Sequence, residues 1–283
     1  MQPGEAVALI GPNRREWAVS QLATWAMGGL ACPIYATSTE EQATYIAKHS
    51  GVKVGVAGDQ AATDKLRSIK DAVGMTTIVT ADDTDDEDTL NFSELRARGR
   101  AKGFDEVDAQ FAKLSPETVC LLIYTSGTTG LPKGVMLDHG NMLATVKGIG
   151  EHNPEFHTIP DGYILVSYLP LSHIAEQDFT ILGHLHFGGK VYFCPAIDRM
   201  KEMLPEVRPT VFVGVPRVWE KFQAALEARL GTAKGIKKSL ANWALATEQK
   251  AVLGSIVGKK AGGIGRSLAR KLVIDKIHGA LGL

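Results

Sequence analysis

Short apolar runs that alternate with segments of helical periodicity are the feature that most constrains this fold. Over the first eighty residues, the runs lie at 7–10, 31–34, 52–57 and 76–79, and the helical patterns at 14–28, 38–50 and 60–72. Strands that alternate with helices are joined by crossover connections, which place the strands parallel in one sheet and the helices on its faces. The sequence therefore predicts an α/β fold with mixed, largely parallel sheets and flanking helices.

One helix start in this region has a sequence signature of its own. Ser38 is followed three residues later by Glu41. A hydroxyl and a carboxylate at this spacing can satisfy each other's free backbone N–H groups in a capping box. We therefore predict that Ser38 caps the helix of residues 38–50.

Charge is unevenly distributed along the chain. Residues 231–283 carry ten Lys and Arg against two Asp and Glu, whereas residues 1–230 carry 21 against 29. A basic, amphipathic tail of this kind can contact an anionic membrane surface or another polyanion, but a solvated face on ordinary helices is the favoured interpretation. We predict four segments: βα repeats at 1–80, an acidic loop and linker at 81–114, a central region at 115–230, and a basic helical tail at 231–283.

Two further features bear on metal binding and cellular location. The acidic stretch 81–88 lacks the glycine and the terminal glutamate of a calcium-binding EF-hand loop, so it is interpreted as a solvated loop. Three widely spaced cysteines, Cys32, Cys120 and Cys194, fit neither a disulfide framework nor a CxxC metal site and are expected to be buried thiols.

The sequence has no apolar run of about 20 residues and no leader pattern. A cytoplasmic location is therefore predicted, with peripheral membrane contact left open.

The segment after the apolar run 119–124 has the composition of a phosphate-binding loop. It reads TSGTTGLPKG and extends from Thr125 to Gly134. Glycines allow the backbone N–H groups to converge on an anion, hydroxyls add donors, and Lys133 supplies a long, mobile cation. The spacing matches neither a Walker A loop nor GxGxxG, and an ordinary hairpin remains the alternative.

The stretch YTSGTTGLPKGV, which begins at Tyr124, closely resembles the signature of the AMP-forming acyl-adenylate superfamily. That superfamily includes acyl-CoA synthetases, luciferases and adenylation domains of peptide synthetases, and the resemblance implies a luciferase-like N-terminal domain. It also implies that the loop holds the ATP phosphates, with Thr125 beside Mg²⁺. The implied phosphate contacts are Thr125, Ser126, Gly127, Thr128, Thr129, Gly130 and Lys133, and the resemblance implies that Lys133 is also catalytic.

Three other stretches resemble the same superfamily. Residues 4–33, with their Asn-Arg-x-Glu-Trp motif, resemble an early segment that is usually structural. YLPLSHIA at 168–175 resembles the motif whose histidine lies between nucleotide and acyl substrate, which implies a catalytic role for His173; taken alone, that histidine is an ordinary loop residue. Residues 208–222, interpreted as a buried strand and a proline-started helix, look most like long-chain fatty acid CoA ligases, including the bubblegum-type branch. There Trp219 is the candidate acyl gate, with a core anchor as the alternative.

The resemblance implies an acid–thiol ligase that works in two half-reactions. A fatty acid and ATP give acyl-AMP and pyrophosphate, and CoA then takes the acyl group; fatty acid, ATP, CoA and Mg²⁺ are the implied partners, and no nucleic acid is expected. The superfamily's Tyr-Gly-x-Thr-Glu and Thr-Gly-Asp segments and its C-terminal lid have no counterpart in this sequence. We therefore expect an incomplete N-terminal AMP-binding domain that does not complete catalysis alone. A non-catalytic nucleotide- or acyl-binding module, or an enzyme that adenylates another carboxylic acid, remains the alternative.

Overall fold

A computed structural model describes residues 1–84, 86–125, 131–232, 234–258 and 262–283. The chain divides into two compact units, Met1–Met200 and Lys201–Leu283. The four predicted segments remain predictions beside this division.

A seven-stranded sheet forms the centre of the first unit, in the order β5-β4-β3-β1-β2-β6-β7. Neighbours from β5 to β6 are parallel, and β7 pairs antiparallel with β6 at the edge. A separate parallel pair, β8 and β9, lies in the same unit. The strands are β1 Ala6–Ile10, β2 Leu30–Pro33, β3 Val52–Ala57, β4 Thr77–Thr80, β5 Thr89–Asn91, β6 Val119–Thr125, β7 Lys133–Asp138, β8 Tyr163–Ser167 and β9 Gly189–Phe193.

Thirteen α-helices, counted over the described residues, accompany the strands. They are α1 Arg15–Ala26, α2 Glu40–His49, α3 Gln60–Val73, α4 Phe92–Lys102, α5 Asp105–Phe111, α6 His139–His152, α7 Ile174–Gln177, α8 His184–Phe187, α9 Met200–Val207, α10 Pro216–Gly231, α11 Gly235–Ile256, α12 Ile264–Ala269 and α13 Asp275–Leu281. Two π-helices, Asp178–Gly183 and Arg270–Ile274, and two 3₁₀ turns, Pro154–His157 and Ile197–Arg199, complete the list.

The central strand β1 shows how the sheet divides the core. All five of its residues are buried. Ala8 and Ile10 point to one face, where Leu66 of α3 packs, while Leu9 points to the other face with Trp17 of α1. Because successive side chains of a strand alternate between faces, a strand covered on both sides must be apolar throughout. The predicted α/β fold with largely parallel sheets and flanking helices is therefore confirmed.

One helix start and one predicted strand differ from expectation. The capping box of α2 is formed by Thr39 and Gln42, not by Ser38 and Glu41: Thr39 Oγ1 accepts from Gln42 N, and Gln42 Oε1 accepts from Thr39 N. Both pairs have suitable residue types, so the true helix start decides between them. The buried strand predicted within 208–222 is also wrong, because Arg208 adopts a left-handed φ of +50° and Val211 makes only an isolated bridge. The following helix α10 does begin at a proline, Pro216.

Residues 81–114 hold more structure than the predicted acidic loop and linker. They contain β5, α4 and α5. An ion pair between Arg67 and Asp86 attaches the acidic loop to α3, and Phe92 packs into the core beside Val79. The local sequence pattern predicted a linker because it does not show these contacts, which join residues that are distant in sequence.

The basic tail forms its own small cluster in the second unit. Glu248 accepts hydrogen bonds from Arg266 at 2.7 and 2.9 Å and from Arg270 at 2.9 Å, and the bond from Arg266 holds the Glu248 pKa below its usual value. Ala244, Ala269 and Ile274 form a small buried cluster in the same unit. Part of the tail's positive charge is therefore used in folding it.

Candidate functional site

The predicted phosphate loop joins the two antiparallel strands β6 and β7. Thr125 ends β6, Lys133 begins β7, and the two residues are direct cross-strand partners. Partners in an antiparallel pair place their side chains on the same face, so the hydroxyl and the ammonium approach the loop from one side. The other predicted contacts, Ser126, Gly127, Thr128, Thr129 and Gly130, lie outside the described residues.

Tyr124 fixes the base of this hairpin through its ring. A Cβ atom at its cross-strand partner Gly134 would lie 3.0 Å from the Tyr124 ring carbon Cζ, so any larger residue there would require the ring to shift. The Tyr124 hydroxyl lies 2.7 Å from His49 Nδ1, and the two rings meet edge to face. Burial raises the pKa of Tyr124 to about 12. The phenol therefore stays protonated near neutral pH and can donate to His49.

A cavity of about 400 Å³ opens where β6 ends. Thr125 and His173, which are far apart in sequence, both line it. Lys133 is exposed and is not part of the lining, although its neighbour Pro132 is. The other lining residues are Tyr35, Ser38, Gln42, Ile46, Ile123, Tyr124 and Ile174. In α/β sheets, ligands bind outside the carboxyl ends of the strands, which is where this cavity lies.

His173 is oriented by the backbone that follows it. The residue caps α7, and its Nδ1 accepts a hydrogen bond from Ala175 N at 3.2 Å. That contact requires an unprotonated Nδ1, so the proton of the neutral ring is on Nε2. The ring is exposed. It can therefore offer Nε2–H to a ligand without breaking its own contact.

A buried polar network holds the loop that carries His173. Asn13, which follows β1, donates to Leu169 O at 2.6 Å and to Ser167 Oγ at 2.9 Å, and it accepts from Leu171 N at 3.1 Å. Buried amides with several partners lock a loop, because each broken bond would leave a polar group without water. The Asn-Arg-x-Glu-Trp motif, for which the resemblance implies a structural role, supports residues 167–171 through Asn13.

A second pair of buried amides anchors the end of the same loop. Gln21 Nε2 donates to Gln177 Oε1 at 2.6 Å, and Gln177 Nε2 donates to Leu171 O at 2.8 Å. Both side chains are fully buried. In the sequence, the only sign that these glutamines are important is that they are polar residues among apolar ones. That sign does not reveal that they pair with each other.

Glu176 is a third feature of this loop that no sequence motif indicates. Its carboxylate is buried and accepts a hydrogen bond from Thr180 Oγ1 at 2.7 Å. Desolvation raises its pKa, while hydrogen bonds from Ser167, Thr180 and the backbone oppose the shift. Asp178, two positions later, behaves similarly, since burial raises its pKa to about 6. Two carboxyl groups with raised pKa values therefore follow His173.

Trp219, the predicted gate, belongs to an aromatic cluster in the second unit. Its ring meets Phe212 edge to face at 5.5 Å and Phe222 at 5.8 Å, measured between ring centroids. Trp219 Nε1 donates to Gly214 O at 2.8 Å. The side chain is 46% exposed, so it is fixed at its polar end but is not enclosed in a core.

Metal and membrane binding can be tested on the described ranges. Within them, no group of three or more His, Cys, Asp or Glu side chains could hold a metal ion. No helix of the described part is long and apolar enough to cross a bilayer. The three cysteines Cys32, Cys120 and Cys194 are free and buried, as predicted.

Comparison with known proteins decides the family. Residues 1–264 match the family model described as AMP-binding enzyme.

The chain belongs to the AMP-binding enzyme family.

The curated relatives of this AMP-binding chain are longer proteins. Long-chain-fatty-acid–CoA ligase ACSBG2 of Xenopus laevis is 34% identical over 285 residues, and the human ACSBG2 is 30% identical over 285 residues. Each alignment covers 98% of this chain but only 38% and 42% of the respective relatives. The chain therefore spans about two fifths of their length, and the predicted resemblance to the superfamily is confirmed.

Solved structures of the family share its fold. A long-chain-fatty-acid–CoA ligase, FadD1 of Archaeoglobus fulgidus, superposes with a TM-score of 0.67 at 22% identity, over 82% of this chain and 43% of that one. The ATP-bound MatB of Rhodopseudomonas palustris gives a TM-score of 0.57 at 23% identity, over 78% and 41%. The AMP-binding chain thus shares its architecture with about two fifths of each of these proteins.

Proposed function

We propose that this chain is the part of a cytoplasmic long-chain fatty acid CoA ligase that holds the ATP phosphates beside the acyl carboxylate. The observation that carries the proposal is that Thr125 and His173 line one cavity, with Lys133 opposite Thr125 on the hairpin. A hydroxyl and an imidazole on one cavity, with a cation on the adjoining strand, suit a polyphosphate and a carboxylate. The relatives named as long-chain-fatty-acid–CoA ligases support the choice of acid.

The proposed reaction activates the acid through its phosphate anhydride. A fatty carboxylate oxygen attacks the α-phosphorus of ATP, the P–O bond to pyrophosphate breaks, and the CoA thiol later displaces AMP from the acyl carbon. Charge builds on the phosphate oxygens during the first step, so Lys133 and the loop around Ser126, Gly127, Thr128, Thr129 and Gly130 would stabilise it. No covalent intermediate on the protein is required.

His173 would orient the acyl carboxylate against the nucleotide. Because Nδ1 already accepts from Ala175 N, the Nε2–H remains available to donate to a carboxylate or phosphate oxygen. Such a donor lowers the barrier by fixing the angle of attack. The Asn13 and Gln177 contacts would keep that donor in place.

Mg²⁺ would supply charge neutralisation at the phosphates. Thr125 fits this role in part, since its hydroxyl lines the cavity and oxygen is the ligand that Mg²⁺ prefers. Mg²⁺ usually keeps several waters and takes one or two protein ligands beside substrate phosphates, which is consistent with the absence of a three-ligand cluster in the described ranges. Thr125 is therefore proposed as its protein neighbour.

Trp219 is proposed to gate the acyl chain. Its ring is held at one end by Gly214 O and is half exposed at the other, so rotation would require the loss of one hydrogen bond and of the edge-to-face contacts with Phe212 and Phe222. In the longer ligase, Trp219→Ala is expected to lower the KM for the bulkiest acids more than it changes kcat. An unchanged preference among chain lengths would favour the anchor alternative.

Calorimetric titration of the 283-residue chain with Mg·ATP tests the central proposal. Wild type should bind ATP, Lys133→Ala should bind at least about tenfold more weakly, and Lys147→Ala, an exposed lysine on α6, should match wild type. Failure of the folded wild-type chain to bind ATP would overturn the proposal. Fatty-acid-dependent exchange of pyrophosphate into ATP, lost in Lys133→Ala, would instead show that this chain completes adenylation by itself.

Peripheral contact with anionic membranes through residues 231–283 is a second proposal, supported by exposed apolar residues beside basic ones. Ile236 is 88% exposed next to Lys237 and Lys238, and Ile264 is 90% exposed. Basic residues with apolar neighbours bind anionic bilayers in this way. Flotation with phosphatidylserine vesicles should fall in a Lys237→Gln/Lys238→Gln variant, and equal flotation of both proteins would exclude the role.

A further inference from the structure

A cleft in the first unit is separate from the candidate site. Its volume is about 650 Å³, and it lies between helices α1 and α4 over one face of the sheet. The floor consists of apolar side chains of three parallel strands, including Val7, Val56 and Val79. Pockets of about 300 to 1,000 Å³ with mainly apolar walls are typical of small-ligand sites.

The wall formed by α4 is only lightly anchored. Phe92 is its single buried residue among those described, and Leu95 faces the cleft while 39% exposed. On the other sides, Val19 is 44% exposed and Phe104 is 68% exposed. A contiguous set of exposed apolar side chains around a cleft indicates a surface that an apolar ligand covers.

Charge on α4 is arranged asymmetrically around this cleft. Arg98 is paired with Glu94 at 2.5 Å and Lys102 with Glu106 at 2.5 Å. Arg96 and Arg100, one turn apart, line the cleft and have no carboxylate partner among the described residues. No acidic side chain of the described chain lines the cleft. Two unpaired guanidinium groups beside an apolar floor match a carboxylate head on a hydrocarbon tail.

We propose that this cleft binds one free long-chain fatty acid, with its carboxylate on Arg96 and Arg100 and its chain along the sheet. Walls on both sides and the limited volume favour a single monomeric chain over a bilayer surface. The inference is independent of the proposed catalytic role, since Thr125, Lys133 and His173 line none of this cleft. It assigns the chain a second acyl site, at which the acid is held and not activated.

Gly99 provides a precise way to fill the cleft. It lines the cleft from within α4, and a Cβ atom built there meets nothing within 4 Å. Gly99→Leu should therefore project into open space, and leucine favours a helix more than glycine does. The variant should melt at or above the temperature of wild type, so any loss of binding would not reflect unfolding. Gly148→Leu on α6, where a Cβ also meets nothing within 4 Å, is the matched control.

Fluorescence titration of the 283-residue chain with cis-parinaric acid, followed by displacement with palmitate, tests the proposal. Gly99→Leu and Arg96→Gln/Arg100→Gln should each bind at least about tenfold more weakly, consistent with the loss of a charged contact or of the cleft volume. Gly148→Leu, Arg98→Gln and Lys133→Ala should match wild type, and methyl palmitate should displace the probe poorly.

Equal affinity in wild type and Gly99→Leu would overturn the proposal, as would displacement by methyl palmitate as efficient as that by palmitate. Binding only to phosphatidylserine vesicles, and not to monomeric acid, would assign the cleft to a membrane surface and would also overturn it. Lys133→Ala should lose ATP binding and keep probe binding. Failure of the ATP-site proposal can therefore be told from failure of the cleft proposal.

Discussion

The side chain of Asn13 holds Leu171 from 158 positions away in sequence. Its Oδ1 accepts from Leu171 N at 3.1 Å, and its Nδ2 donates to Leu169 O at 2.6 Å. Asn13 is 7% exposed, so these bonds are made out of contact with water. The loop before His173 is therefore fixed by a residue that follows the first strand of the sheet.

Asn13→Ala should destabilise the chain by about 2 to 4 kcal/mol, because it removes the bonds to Leu169 O and Ser167 Oγ and leaves the buried Leu171 N–H without its acceptor. Urea unfolding followed by circular dichroism measures the change. Asn153→Ala is the control: Asn153 makes one side-chain bond, to Ile149 O at 2.8 Å, and its loss should cost about 1 kcal/mol. Equal costs for the two variants would contradict the locking role of Asn13.

Gln21 and Gln177 should behave as a coupled pair. Gln21→Leu or Gln177→Leu alone leaves one amide buried without its partner and should cost about 2 kcal/mol. The double variant should cost less than the sum by about 1 kcal/mol, as a double-mutant cycle of unfolding free energies would show. Additive costs would mean that the 2.6 Å contact contributes no specific energy. Gln60→Leu, at an exposed position, should change stability by no more than about 0.5 kcal/mol.

Gly134→Ala should displace the Tyr124 ring. The new methyl group would lie 3.0 Å from Tyr124 Cζ, so the ring must shift by a few tenths of an ångström, which strains its contact with His49 Nδ1. We expect a cost of about 1 to 3 kcal/mol in the free energy of unfolding. Tyr124→Phe, which removes only the hydroxyl, should cost about 1 kcal/mol. If Gly134→Ala is as stable as wild type, the ring does not require a glycine beneath it.

Local pattern accounts for most of the fold. The strand predicted at 52–57 is the strand observed, Val52–Ala57, and α3 begins at Gln60 as expected. Alternating side chains and helical periodicity depend only on neighbouring residues, which a sequence shows directly. The cap at Thr39 depends on where the helix starts, and a strand near Val211 would require a partner strand. Tertiary contacts set both conditions, so the local sequence does not show them.

The candidate site was predictable in part for a related reason. Motif resemblance named Thr125 and His173, and the structure places both on one cavity. It gave no indication of Asn13 or Gln177 as supports, because a single buried amide does not reveal its partner in sequence. Likewise, the charge of the cleft beside Arg96 depends on which arginines of α4 pair with carboxylates. That pairing is set by side-chain geometry, which the sequence does not show.

The pH dependence of stability should contain a contribution from Asp178. Burial raises its pKa from 3.8 to about 6, so the native state binds more protons than the unfolded state between these values. This contribution is complete below pH 4, and the unfolding free energy then falls as the pH rises through 6 and levels off above it. The shift corresponds to about 3 kcal/mol at most, and partial exposure of the group reduces the expected effect to about 1 kcal/mol. The stability of Asp178→Asn minus that of wild type should therefore be about 1 kcal/mol larger at pH 7.5 than at pH 4. Urea unfolding of both proteins at both pH values measures this change. Parallel curves for the two proteins would show that the Asp178 carboxylate is not penalised by burial.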